Sequence, residues 1–446
     1  MTAADLPVRA EAFHYRDLDL DAGSSTLTFT YEVGGRRFQE RVTLDQGSFD
    51  EPGAEAAAGL VFLLAGVSYY KAFAPEVVDL GTVPVTDEVR SLLHSHYVDG
   101  LGEFAYHNDL DLRGLRLEGG TPVPGRAAGA GPAVVRQPLV PFGGGLDSLV
   151  SVDLVTRTTP DAALFVVSQA GTRFEAIETA AAATKLPVLR ASRQLDPSIL
   201  RSRELGFLNG HIPITGIISA IAVLAAVTSA RDAVVMSNEW SASSATREHL
   251  GTPVNHQHSK SLDFERVFRA GIASILGPEP QYYSLLRPFS ELWIAREFAG
   301  LPRFHRAFRS CNRAFHIDPA LRLDRWCGRC DKCVFIDLIL SPFLARTELD
   351  AIFQGQEPLQ DPTLLDTFRS LLGSSSIDKP FECVGDEEEC RAAVHLAAER
   401  PDRAANEVLR ALEPEAPVAP DAVERLLAPI GQHFIPEPHA SDLRLV

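Results

Sequence analysis

The sequence predicts an α/β protein: a parallel, doubly wound sheet at the centre, an α+β region before it and a helical region after it. Three observations lead there. Residues 139–155 read as an apolar strand, a glycine turn and an amphipathic helix in direct succession. From Val134 to about residue 237, strand-like and helix-like segments alternate, the order that builds a parallel sheet with helices on both faces. Beyond about residue 335 the apolar residues keep helical spacing, in 334–353, 362–372, 390–398 and 402–412.

A chain of 446 residues has room for two or three domains. Residues 1–125 form the first. Ser24 to Tyr31 alternates with period two, Gly34 and Gly35 supply a turn, and Arg36 to Leu44 alternates again, which predicts a hairpin. An apolar helix is expected from Ala54 to Ala65, then the block Gly66–Lys71, then a helix from Thr86 to about Tyr106. Residues 118–132, rich in glycine, proline and alanine, read as a linker. Residues 126–335 form the second domain, with strands expected at 134–142, 162–168, 187–192 and 233–237. Its longest apolar stretch, Ile212 to Ala230, is interrupted by Pro213, Thr215, Ser219, Thr228 and Ser229, and reads as a buried helix rather than a membrane span. Residues 336–446 form the helical third region.

Ligands of parallel sheets bind at the carboxyl ends of the strands. Three polar motifs fall there: Gly143–Ser148, Ser168–Gly171 and Ser237–Ser243. In the first, glycines let backbone N–H groups approach an anion, and the helix start adds free donors and a positive dipole end. Ser148 adds a hydroxyl, and Asp147 a carboxylate able to hold magnesium against phosphate oxygens. A plain glycine-rich strand-to-helix turn is the bland alternative. The Lys-Ser pair of the Walker loop and the G-x-G-x-x-G fingerprint are both missing.

The net charge of −17, with 42 basic against 59 acidic residues, argues against a nucleic-acid partner and for a small-molecule substrate. With no basic, apolar leader at the start of the sequence, a cytoplasmic protein without a membrane partner is expected. Four of six cysteines cluster: Cys311, then Cys327, Cys330 and Cys333 in two C-x-x-C steps. Four thiolates suit structural zinc; an iron–sulfur cluster is the rival. Cys383 and Cys390 have no ligand types nearby and read as core residues.

Gly-Gly-x-Asp-Ser at 144–148 resembles the PP-loop of ATP pyrophosphatases, and with the cysteine cluster it resembles the enzymes that make 7-cyano-7-deazaguanine. Further blocks are similar to the ATP-dependent UDP-N-acetylmuramoyl-L-alanyl-L-glutamate epimerases: Gly66–Lys71, Gly100–Tyr106, Gly210–Pro213, Ser237–Glu239, Val254–His256 with Ser259–Ser261, and Lys379–Gly385. Gly143 and Leu146 depart from the usual loop residues, serine and lysine. The resemblance implies a sheet of the PP-loop (adenine nucleotide α-hydrolase-like) type. It also implies a substrate ending in L-glutamate, converted to D-glutamate with release of AMP and diphosphate, in peptidoglycan synthesis.

On that basis Gly143, Gly144, Gly145 and Ser148 are expected to cradle ATP with Asn238, and Asp147 to hold magnesium. His211, Glu239 and Asp147 are the catalytic candidates. Tyr70, Lys71, His256 and Lys260 are candidates for the UDP-linked muramyl dipeptide, with His258 a further one. The alternatives are a capping asparagine at 238, a solvated glutamate at 239, a structural histidine at 211 and core aromatics at 69 and 70. Two other functions stay open: a PP-loop enzyme adenylating a deazapurine or transfer RNA, and a nucleotide-binding regulator with a zinc module.

Overall fold

The computed structural model describes residues 10–126, 134–245, 247–316, 318–373 and 379–445. Part of the expected linker, 127–132, lies outside them. Ten strands share one sheet: β1 (Phe13–Asp21), β2 (Thr26–Val33), β3 (Arg36–Leu44), β4 (Val77–Asp79), β5 (Arg116–Glu118), β6 (Pro138–Pro141), β7 (Ala163–Gln169), β8 (Val188–Gln194), β9 (Ala233–Met236) and β10 (Gln281–Ser284). Their spatial order is β10-β9-β6-β7-β8-β3-β2-β1-β4-β5.

The half from β10 to β8 is parallel throughout. Within it the chain runs outward from β6 to β8, returns to β9 on the other side of β6, and ends at β10, so β6 and β9 flank the point where the winding reverses. The polar ends of those two strands therefore open one crevice. β8 then pairs antiparallel with β3, and the expected hairpin β2–β3 continues the same sheet rather than forming a separate one. A buried ion pair, Arg193 with Glu40, ties the two halves across this seam, and Arg193 also donates to Ser68 at 2.8 Å.

Adjacent residues of the central strands face opposite sides, as the pleat requires. Leu139, Phe165 and Val234 enter one core with the helices Ala54–Ala65, Ile214–Thr228 and Leu262–Leu276. Val140, Leu164 and Val235 enter the other with Leu146–Thr158, Glu291–Ala299, Asp331–Leu340 and the later helices. Both faces are thus covered, and the sheet is doubly wound in its parallel half. No described helix is long and apolar enough to cross a membrane.

Several boundaries differ from the sequence reading. The helix expected over 86–106 is two, Asp87–Val98 and Gly102–Asn108. The break falls where Gly100 packs so tightly that a Cβ would lie 2.3 Å from the His96 carbonyl oxygen and 2.9 Å from Pro213. The stretch 334–353 divides at Ser341–Pro342 into Asp331–Leu340 and Arg346–Ile352, because proline cannot supply the N–H that continuity needs. β1 and β10 were not expected at all.

Candidate active site and metal centre

The glycine loop leaves β6 and enters the helix Leu146–Thr158 with Gly145 as its extended N-cap. Gly144 takes φ +74°, and a Cβ there would meet the Ala176 carbonyl and the Ile177 Cα at 3.1 Å each. Only glycine serves at that position. Gly143 is exposed, with nothing within 4 Å of a Cβ, so the outer face of the loop is open. The Ser148 hydroxyl donates to the Gly145 carbonyl at 3.0 Å. Arg309, whose N–H donates to the Gly144 carbonyl at 3.2 Å, has a buried Nε without a hydrogen-bond partner among the described residues. The Ser237 hydroxyl at the end of β9 is buried and unpartnered in the same sense. An open glycine loop with unsatisfied donors on either side fits an anionic group such as a triphosphate.

Asp147, Glu239 and Glu291 bring one oxygen each within 4.8 Å of one another. They come from the carboxyl ends of three adjacent strands: Asp147 after β6, Glu239 after β9 and Glu291 after β10. Burial, then the neighbouring Glu239, pushes Asp147 up to about 6, with Lys332 and Lys260 opposing. Burial, then Asp147 and Glu239, holds Glu291 well above the usual carboxylate range. Glu389, raised by burial to about 7, accepts the Glu291 N–H at 2.9 Å. Such crowding of acids is what a divalent cation relieves. The loop carrying Glu239 is fixed by Arg287, which donates to the Glu239 carbonyl at 2.7 Å and also bonds the Lys260 carbonyl. Arg287 is itself held by buried Glu265 at 3.0 Å. Asn238 donates to Ser284 at 3.0 Å, so its amide spans β9 and β10.

A second cluster lies on the far side of Lys260. His211 and His256 have ring centroids 4.5 Å apart, and Glu103 bonds His256 and approaches His211 at 3.7 Å. Burial, then His256, lowers His211 to about 4, so it is neutral at pH 7. Burial also opposes charge on His256, but hydrogen bonds to Cys383 and Glu103 bring it up to about 9. Lys260 donates to Gln257 at 3.0 Å and to the Cys383 sulfur at 3.2 Å. Lys71 donates to Asn209 and Gly210, next to His211, and burial lowers it to about 8.

Three assignments change. Tyr70 is wholly buried, donates to the Pro75 carbonyl at 2.9 Å and packs edge-on against Tyr97, so it belongs to the core rather than to a substrate surface. Cys383 is not a core cysteine; it is partly exposed and bears on Lys260 and His256, whereas Cys390 is fully buried as expected. His258 turns instead to Ser95, at 2.8 Å.

The Cys311, Cys327, Cys330 and Cys333 sulfurs lie within 4.8 Å of one another, with Cys327 3.7 Å and Cys330 3.5 Å from Cys333. Bonds of about 2.3 Å to a tetrahedral ion place sulfurs about 3.8 Å apart. The Cys327 and Cys330 N–H groups donate to the Cys311 and Cys327 sulfurs at 3.4 and 3.3 Å, as thiolates around an ion accept. The donor set fits zinc.

Sequence reasoning missed Glu103, Glu291, Arg309, Lys332 and Cys383. Glu291 had a signal, since Ser290-Glu291 is a helix cap that accepts the Trp293 N–H at 3.0 Å, but the short strand before it was not recognised. A cavity of about 480 Å³ lined by Arg16, Leu60, Thr86, Val123 and Arg126 contains none of these groups.

Fold and site together define a class: a doubly wound α/β protein with an anion-competent glycine loop and a carboxylate cluster at the winding reversal. The profile of the MurL N-terminal domain matches residues 5–285, and that of the MurL C-terminal domain matches 307–426. The chain belongs to the MurL family. A relative from Xanthomonas oryzae pv. oryzae is 39% identical over 94% of this chain and 93% of its own length. One from a Micromonospora species is 37% identical, covering 98% of both chains, and one from Salinispora tropica is 36% identical over 98% and 96%. All three carry the name UDP-N-acetyl-alpha-D-muramoyl-L-alanyl-L-glutamate epimerase.

Proposed function

We propose that this chain inverts the terminal L-glutamate of UDP-N-acetylmuramoyl-L-alanyl-L-glutamate to D-glutamate, using ATP to form an acyl adenylate and releasing AMP and diphosphate. The names of its relatives support the epimerase and its muramyl-dipeptide substrate, a precursor of peptidoglycan. Support for the ATP-dependent part comes from one observation: Asp147, Glu239 and Glu291 converge beside the open loop Gly143–Gly145.

The chemistry explains why an epimerase would hold a nucleotide. The α-proton of a free carboxylate is hard to remove, because the carbanion would form beside a full negative charge. Adenylation neutralises that charge and makes the carbonyl electron-withdrawing, so an ordinary side-chain base suffices. In this reading Gly143, Gly144, Gly145 and Ser148 receive the phosphates, with Arg309 and Asn238 beside them. Asp147, Glu239 and Glu291 hold magnesium, which when bound screens the phosphate oxygens that the leaving diphosphate carries away. Lys260, whose charge Cys383, Glu239 and Asp147 favour against burial, orients the substrate carboxyl between the two clusters. His211 and Glu103 stand on the proton-transfer side. The four clustered cysteines hold zinc as a structural ion, a reading supported by sulfur separations of 3.5 and 3.7 Å, near those around one tetrahedral ion.

The test is AMP formation by the purified protein with ATP, magnesium and precursors of defined stereochemistry. AMP and diphosphate should appear only with the glutamate-terminated precursor, in step with D-glutamate. D-glutamate formed without AMP would overturn the mechanism.

A further inference from the structure

Inversion at Cα by a two-base route needs a proton-transfer group on each face, and besides His211 the second cluster contains a thiol in an unusual setting. Lys260 touches the Cys383 sulfur at 3.2 Å, and His256, bonded to Glu103, stands near enough to favour the thiolate. We propose that Cys383 is a catalytic residue that exchanges a proton with the α-carbon of the activated glutamate, with Lys260 and His256 as its positioning residues. The proposal rests on the adenylation reading, which makes that proton acidic enough.

The segment carrying Cys383 is held to this place. Arg247 donates to the Lys379 carbonyl at 2.9 Å and lies 5.5 Å over the Phe381 ring, which in turn packs on His256 at 6.0 Å. Asn312 donates to Glu382 at 3.0 Å. Glu103, His211, His256, Lys260 and Cys383 are all partly exposed, so the cluster remains open to a substrate. A cysteine kept for packing has the opposite surroundings. Cys390 has no cation bonded to it, and burial drives its thiol far up. At Cys383 burial pushes the same way, but the charges that face it, Lys260, His256 and Lys332, bring it down to about 7. A thiol near ambient pH can both take and return a proton.

In the L-to-D direction neutral His211 takes the α-proton. The C–H electron pair moves into the Cα–carbonyl bond, and the carbonyl pair moves onto oxygen, giving the enolate of the acyl adenylate. The Cys383 S–H then delivers a proton to the opposite face, the enolate collapses to the carbonyl, and the thiolate remains against Lys260 and His256. Glu103, between His256 and His211, offers the route by which the proton returns. Water hydrolyses the adenylate to AMP and the inverted acid.

The experiment compares C383A with wild type in heavy water, following D-glutamate, α-deuterium and diphosphate. C383A should make D-glutamate about 10²–10⁴-fold more slowly while diphosphate release persists. D-glutamate at the wild-type rate overturns the proposal, and parallel loss of both products overturns it too, since it assigns Cys383 a structural role. Absence of diphosphate from wild type instead defeats adenylation and is read separately. Should C383A not fold, alkylation of Cys383 in the native, metal-loaded enzyme by iodoacetamide, followed by peptide mass spectrometry, decides. A midpoint near pH 7 that rises in K260M supports the proposal. A midpoint of about 8.5, the ordinary thiol value, unmoved in K260M, contradicts it.

Discussion

The two halves of the pocket solve their electrostatics in opposite ways. On the Asp147 side two buried carboxylates and half-buried Asp147 meet with no basic side chain hydrogen-bonded to them among the described residues; the lysines act from a distance. On the Cys383 side each of these two acids has a bonded partner: Glu103 has His256, and the thiol has Lys260. A buried pair elsewhere gives the scale of ordinary compensation, for Glu265 is bonded by Arg287 at 3.0 Å. In the proposed reading an external cation completes the first half, whereas the second already pairs its own groups. The contrast matches a division of labour in which one half activates the carboxyl and the other moves the proton. Lys260 belongs to both.

The largest effect that would break this contrast comes from outside it. Cys330→Ser should give protein that is poorly soluble and lacks zinc, because three thiolates cannot close a structural site. Both halves should then fail together, since the cysteine cluster packs into the core that carries the helices Leu146–Thr158 and Glu291–Ala299. Soluble C330S with full activity, or no zinc by elemental analysis of freshly purified native protein, would remove the ion from the account. Asp147→Asn should act on one half alone. Diphosphate release should fall by about 100-fold or more, roughly 3 kcal/mol of lost charge stabilisation, with unchanged thermal unfolding and an unchanged alkylation profile at Cys383. Wild-type diphosphate release in D147N would contradict the placement of the metal.

The activating half was largely legible in the sequence and the proton-transfer half was not, for a physical reason. The glycine loop and the cysteine quartet are local: each is set by spacing within a few residues, or within the 23 positions from Cys311 to Cys333. Asp147 and Glu239 could be placed because each follows a recognisable strand. Glu291 escaped because β10 reads Gln-Tyr-Tyr-Ser, without the apolar run that marks the equally short β9. Glu103, His211, His256 and Cys383 come from four separate stretches, and nothing local marks Cys383 as different from Cys390. Only tertiary packing brings these groups together, through the Glu103–His256 bond and the seating of Phe381 against Arg247 and His256. β1 was missed although it alternates, while the apolar stretch holding the helix at 214–228 was read correctly as a buried helix from the polar residues that interrupt it.

The central claim is that activation precedes proton transfer. It is tested by incubating the L-glutamate precursor in heavy water with the native enzyme and following the glutamate α-position by mass spectrometry. Three conditions are compared: ATP, no nucleotide, and an analogue whose α–β bridge cannot be cleaved. The account predicts deuterium at Cα with ATP and none in the other two, because the proton is not acidic until the carboxyl is adenylated. Exchange without ATP would mean that Cys383 and its neighbours work unaided, as in a cofactor-independent racemase, and would contradict the account.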